Sequence, residues 1–240
     1  MGLASGVRFD YSEHVLAAQA ALLKKYKRIR SVEVAVSDRL QLSDAALNFA
    51  ARSIGFRERG EGLYAHKDAS VLIELATYHH RLRSKTVIER FFEKAKPAVG
   101  TDEHLVLTAM MNSPVTLLLL GEAVPGIGVH VEDLLFVGKL FLADIPLSKR
   151  KKKDEKVIVT RRLAFDDFVM TPCTSYLDFD PELARMMAKG LQNESALPMA
   201  ERYTSVEAKA ELATDMMEMA LCSIESVRES LVERFAVSGV

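Results

Sequence analysis

The sequence predicts an α+β fold: a helical N-terminal half, a small antiparallel β-barrel-like module and a helical C-terminus. Three observations carry this reading. From residue 10 to about 112, apolar positions recur every three or four residues between helix-capping residues. From Ser113 to Cys173, short apolar runs alternate with turn residues. Beyond Asp180 the helical period returns and ends in the longest periodic stripe of the chain. Strands grouped together, instead of alternating with helices, argue against a parallel α/β sheet. The expected regions are 1–112, 113–173 and 174–240, packed as one compact unit.

Asp10 and Glu13 form the first capping box, in which two orphan amides are satisfied reciprocally. Behind it Val15, Ala18, Leu22, Tyr26 and Ile29 make one helical stripe, and Lys24 to Arg30 place cations at the expected helix end. Val32, Val34 and Val36 alternate, so Ser31 to Ala35 reads equally as strand or helix. A second helix is expected from Ser43 to Gly55, a good residue just past a helix end. Asp68 caps a third, running to about Leu82. Thr86 and Glu89 form a second capping box, opening a helix that Pro97 ends, and Thr101 starts a fifth that reaches about Met111.

The strand candidates are Val115–Leu120, Gly128–Val131, Lys139–Leu142, Val157–Leu163 and Phe168–Met170. Turn residues separate them around Pro125 and Gly126, near Asp133, around Pro146, and in the charged run from Lys149 to Glu155. Short strands at this spacing suggest a small barrel or a strongly curled sheet. Asp180-Pro181 then starts a short helix that Gly190 ends, since proline suits the first helical position. A loop follows from Gln192 to Pro198. Thr204 with Glu207 caps the last helix, whose stripe is Val206, Ala210, Ala213, Met217, Ala220, Ile224, Val227, Leu231 and Phe235. That spacing is close to a heptad repeat. It serves either packing onto the chain's own domain or a homodimer seam, in which Met217, Ala220, Ile224, Val227 and Leu231 are the candidate contacts.

The chain has 240 residues, 49% hydrophobic and 27% charged, which is ordinary globular composition. A chain of this length buries roughly 70% of the surface its unfolded form exposes and needs no staples. Cys173 and Cys222 belong to no C-x-x-C pair, so a disulfide framework or zinc site is not expected. The N-terminal stretch lacks a signal-peptide pattern, and Met1-Gly2 carries Gly6 where myristoylation wants Ser or Thr. The longest uncharged apolar run, Ser113 to Gly121, is too short to span a membrane. A cytoplasmic location is therefore expected, with no membrane partner. Net charge is −1, so any attraction to nucleic acid must be local.

Three segments carry a family resemblance. They are Gly128 to Leu135, Phe141 to Ser148, and Val159 to Thr171. Together they resemble a family of uncharacterised bacterial proteins with a helical N-terminal half beside a small β module. The resemblance implies no known activity and transfers no functional residue. The basic Lys149–Lys153 loop departs from the family's expected connection, and the Cys-rich tail of some relatives has no counterpart here.

The sharpest chemical feature is Lys149, Arg150, Lys151, Lys152 and Lys153, five consecutive cations that can contact phosphates. Asp154 and Glu155 follow at once and no aromatic is interleaved, so a solvated loop explains the run as well. The six histidines show no metal-ligand spacing, and neighbours His79 and His80 diverge by about 100° on a helix. His130 is expected on the solvent side of its strand. Asp166-Asp167 and Asp178-Phe179-Asp180 read as turn and cap residues, since the calcium-loop Gly and Glu are replaced by Leu183 and Lys189. Gly126-Ile-Gly128 precedes a strand and is a turn, not a phosphate cradle. No nucleophile-elbow, Walker or kinase motif occurs. No metal or cofactor is expected and no catalytic residue is assigned. The reading is of a cytosolic binding or regulatory protein without catalysis of its own, whose partner is another protein or a second copy of the chain. The alternatives are a nucleic-acid-associated protein using the Lys149–Lys153 loop, or an enzyme of unrecognised type.

Overall fold

A computed structural model describes residues 13–53, 66–150, 155–172, 176–193, 208, 211–214 and 216. Helix α1 (Glu13–Arg39) absorbs the ambiguous Ser31–Ala35 stretch. Tyr26, Ile29, Val32 and Val36 fall on one helical face and enter the same core cluster, so packing outweighs the β-preference of the valines. Helix α2 (Asp44–Ser53) lays a small face of Ala46, Ala50 and Ala51 against α3 (His66–Tyr78). Helix α3 stops short of the expected Leu82. The chain there turns between Leu82 and Lys85, with Arg83 at φ 53° and Ser84 at φ 65°, the paired left-handed geometry of a tight two-residue turn.

Helix α4 (Val87–Ala95) opens on the expected Thr86–Glu89 capping box. It closes at Lys96 in the left-handed region, just before Pro97, whose ring disfavours helical geometry in the preceding residue. Helix α5 (Asp102–Met111) is capped by the Thr101 hydroxyl, which accepts from the His104 amide.

The chain then forms seven strands: β1 (Val115–Val124), β2 (Gly128–Asp133), β3 (Gly138–Ala143), β4 (Lys156–Arg161), β5 (Leu163–Ala164), β6 (Val169–Met170) and β7 (Leu177–Phe179). A short helix, α6 (Ile145–Ser148), follows β3, and α7 (Pro181–Asn193) follows β7. The strand order is β5-β6-β3-β2-β1-β4-β7, a single curled half-barrel sheet. It is not purely antiparallel, because β3 pairs with β6 in parallel. Nor does it end at Cys173, since β7 adds an edge strand beyond it.

The expected Val157–Leu163 strand is in fact two strands. Arg162 alone separates β4 from β5, yet these strands stand far apart in the sheet order. Two consecutive peptide units reach at most about 7.6 Å, so the sheet must curl until β5 returns beside the end of β4. Bending concentrates at Gly121, where β1 slips register against β2 and an added Cβ would lie 2.9 Å from the His130 carbonyl oxygen.

Side chains alternate across the sheet. Val115, Leu117, Val157 and Val159 face α2, α3 and α7, whereas Leu118, Val129, Val131 and Ile158 face the other way, under Leu147 of α6. A third cluster joins α1, α4 and α5 to Leu163, Phe168 and Met170 at the far end of the sheet. Helix α7 runs through Gly190 instead of stopping there. The helical C-terminus is described only at 208, 211–214 and 216, and is not supported beyond them. At those positions Leu212, Ala213 and Met216 are buried in the same cluster as α2, α3 and α7.

Candidate functional site

The apolar stripe of α1 is interrupted by one acid. Tyr26, Ile29 and Val36 are buried on it, and Glu33, in phase with them, is 0% exposed. Arg30 Nη1 donates to Glu33 Oε2 at 3.0 Å and the Ser37 hydroxyl donates to Oε1 at 3.3 Å. The Arg30 guanidinium also lies 5.6 Å from the centre of the Tyr26 ring. Burial works to lower the Arg30 pKa, but the Glu33 carboxylate and Tyr26 outweigh it and raise it overall. Glu33 is therefore a compensated buried charge.

Glu33 also lines a cavity of about 200 Å³, together with Ser37, Asp38, Leu40, Thr77 and Tyr78. A larger cavity of about 570 Å³ opens beside it, lined by Asp38, Arg39, Leu40, Arg90, Phe91 and Lys94. Asp38 and Leu40 belong to both walls, so the two cavities adjoin at a cleft where α1 ends. Val87, Arg90, Phe91 and Lys94 recur at helical spacing and present one face of α4 to it. Arg39 is tied to Glu103 at 2.9 Å and lies 5.0 Å over the Phe91 ring. Arg90 Nη1 donates to the Lys85 carbonyl at 2.7 Å. Among the described residues, Asp38, Arg90 and Lys94 form no ion pair.

Behind the inner chamber lies a second buried polar group. Arg161, in phase with Val157 and Val159 on β4, points to α3, where its Nε donates to Glu74 Oε1 at 2.5 Å. Its Nη1 donates to the Ser113 carbonyl, and its guanidinium sits 4.0 Å over the Tyr78 ring. Nη2 is 3.0 Å from His79 Nε2, which must accept, leaving the imidazole proton on Nδ1. Burial first, then Arg161 and Arg81, hold the His79 pKa at about 3. A guanidinium cannot surrender its proton near neutrality, so Nε2 is closed to proton transfer. Tyr78 connects the two assemblies, touching Arg161 and lining the inner chamber.

The residues singled out from sequence fall elsewhere. Lys149 and Arg150 are exposed at the end of α6, while Lys151, Lys152 and Lys153 lie outside the described residues. So do the seam candidates Met217, Ala220, Ile224, Val227 and Leu231, the capping pairs at Asp10 and Thr204, and both cysteines. Asp166 and Asp167 are exposed, and Asp167 pairs with Lys25 at 2.6 Å, tying the β5–β6 turn to α1. His130 is exposed, as its alternation implies, and stacks edge-on to Phe141. The Lys24–Arg30 cations stay within the fold: Arg28 pairs with Asp102 at 3.1 Å and Arg30 with Glu33. No helix among the described residues is long and apolar enough to cross a membrane.

Residues 20–206, well over half of the chain, match the model of a family described as "Family of unknown function (DUF7986)". The chain belongs to this family. No curated protein and no solved structure matches it. The DUF7986 match spans the whole cleft, the Arg161 assembly and the Lys149–Lys153 run, and stops short of the C-terminal seam. The resemblance to an uncharacterised family therefore holds.

The cleft escaped a motif search because its residues are scattered over α1, α3 and α4. A usable signal existed nonetheless. Glu33 occupies an apolar-stripe position, and Arg161 falls in phase with Val157 and Val159 on a buried strand face. A charged residue in a buried phase requires a partner, which marks it for attention.

Proposed function

We propose that this protein is a non-catalytic binding protein whose cleft at the end of α1 takes a small anionic molecule. One observation carries the reading: Arg90 and Lys94 stand on one face of α4 in a cavity of about 570 Å³, with no described carboxylate paired to either. That volume lies within the usual 300–1,000 Å³ of ligand sites. Cations gathered in a concave wall focus potential and favour an anion. Phe91 supplies an apolar surface, held by Arg39 above it. The locked state of His79 supports binding over acid–base chemistry. Citrate, as an anionic probe, is expected to raise the melting temperature of the wild type and to lose that effect in Arg90→Gln/Lys94→Gln. Equal shifts in both proteins would reject the cleft.

A second reading, association with nucleic acid through Lys149–Lys153, gains support from one contact. Tyr176 is close enough to Arg150 of this run to feel its charge, and the Lys156 ammonium, paired with Asp178, is 5.9 Å from its ring centre. Burial, then Asp144 and Asp178, raise its pKa, while Arg150 acts in the opposite direction. An aromatic beside a basic run is what single-stranded nucleic acid favours. Fluorescence anisotropy with a labelled oligo-dT should show binding that weakens steeply with salt and disappears when Lys149–Lys153 become serine. Salt-independent or absent binding removes this reading.

A further inference from the structure

We infer that the ligand of the cleft is zwitterionic, of the amino-acid or short-peptide class, with its ammonium at the α1 end and its anionic groups on α4. The inference rests on the proposed anion-binding role of the cleft and deepens it. Two of the charges that line the cleft are already satisfied: Glu33 by Arg30, and Arg39 by Glu103. Those without an ion-pair partner among the described residues are one anion, Asp38, and two cations, Arg90 and Lys94. Both cations line the outer cavity alone, whereas Asp38 lines both the outer and the inner cavity.

Beyond Asp38 the inner chamber offers oxygen atoms: the Ser37 and Thr77 hydroxyls. An ammonium has three donors and no acceptor, and each of these groups can accept from it. A carboxylate placed there would meet Asp38 and be repelled. The same carboxylate is favoured near Arg90 and Lys94. A purely anionic ligand fills only the outer part, and a purely cationic one is opposed by α4. A ligand with separated opposite charges matches both ends, and complementarity of this kind sets specificity.

The experiment is isothermal titration of the full chain with the dipeptide Glu-Glu and with N-acetyl-Glu-Glu, whose ammonium is masked. The free dipeptide should bind at least tenfold more tightly. Asp38→Asn, an exposed substitution, should reduce that preference to about threefold or less. Lys94→Gln should weaken both. Equal binding of the two dipeptides overturns the ammonium site while the anion-binding role stands. Binding of neither dipeptide overturns the zwitterion site, and only a failure of citrate to bind as well overturns the anion-binding role.

Discussion

Arg161 Nη2 lies 3.0 Å from His79 Nε2, so a guanidinium, not a carboxylate, faces the imidazole. Histidines next to carboxylates gain protons on folding, and this one loses them: its pKa is about 3. The unfolded state titrates near the ordinary 6.5, so between pH 6.5 and 3 it binds more protons than the folded state. The resulting stabilisation is complete above pH 6.5 and declines as pH falls, by about 1.4 kcal/mol per unit for this single group. NMR titration should find the His79 ring neutral down to pH 4. In urea titrations His79→Gln should flatten the acid limb of stability. A His79 midpoint near 6.5 contradicts this arrangement.

Removing one partner of the same assembly should be costly. Arg161→Met leaves Glu74 buried without its cation and is expected to cost about 3–5 kcal/mol in urea unfolding. Arg161→Met with Glu74→Leu removes both charges and should recover most of that loss. A double variant no better than the single one would show that the Ser113 carbonyl and Tyr78 contacts, not the ion pair, dominate.

Gly128 is fixed by the sheet. A Cβ there would lie 2.1 Å from the Leu142 carbonyl oxygen and 2.9 Å from Phe141 Cζ. Gly128→Ala must push β3 away from β2 and should destabilise by about 3 kcal/mol. Gly190 is the control: nothing lies within 4 Å of its added Cβ, and it sits within α7. Gly190→Ala should stabilise by about 0.5–1 kcal/mol. Thermal denaturation of both variants checks the pair of expectations.

The α4 capping box positions the face that carries Arg90 and Lys94. The Thr86 hydroxyl accepts from the Glu89 amide at 3.3 Å, and the Glu89 carboxylate accepts from the Thr86 amide at 2.6 Å. Thr86→Ala should cost about 1 kcal/mol of stability. Loosening the first turn of α4 should also weaken citrate binding, whereas Thr101→Ala, at the start of α5, should not.

Much of this fold is legible in local signals. Thr86 with Glu89, Thr101, and Asp180 before Pro181 mark helix starts where the chain makes them. The cores of the first four long strands lie where alternation and apolar runs place them. What is missed is set by contacts distant in sequence. Ser31–Ala35 becomes helix because α5 and the tip of the sheet cover that side of α1. Arg162 divides an apparent single strand because the sheet curls, a property of seven strands together and not of any one. Helix α7 passes Gly190 while packing against β1 and β4, contacts that no local signal announces. The site was less legible than the fold. The Lys149–Lys153 run is conspicuous because its charges adjoin in sequence, whereas Asp38, Arg90 and Lys94 meet only after α1 and α4 pack. Glu33 and Arg161 alone announced themselves, as charges in buried phase.

The most direct measurement is a calorimetric titration of citrate into the wild type and into Arg90→Gln/Lys94→Gln at low salt. Saturable binding in the wild type is expected, with at least a tenfold weaker affinity in the variant, a difference of about 1.4 kcal/mol or more. Identical heats in both proteins, or none in either, would contradict a ligand site at the end of α1.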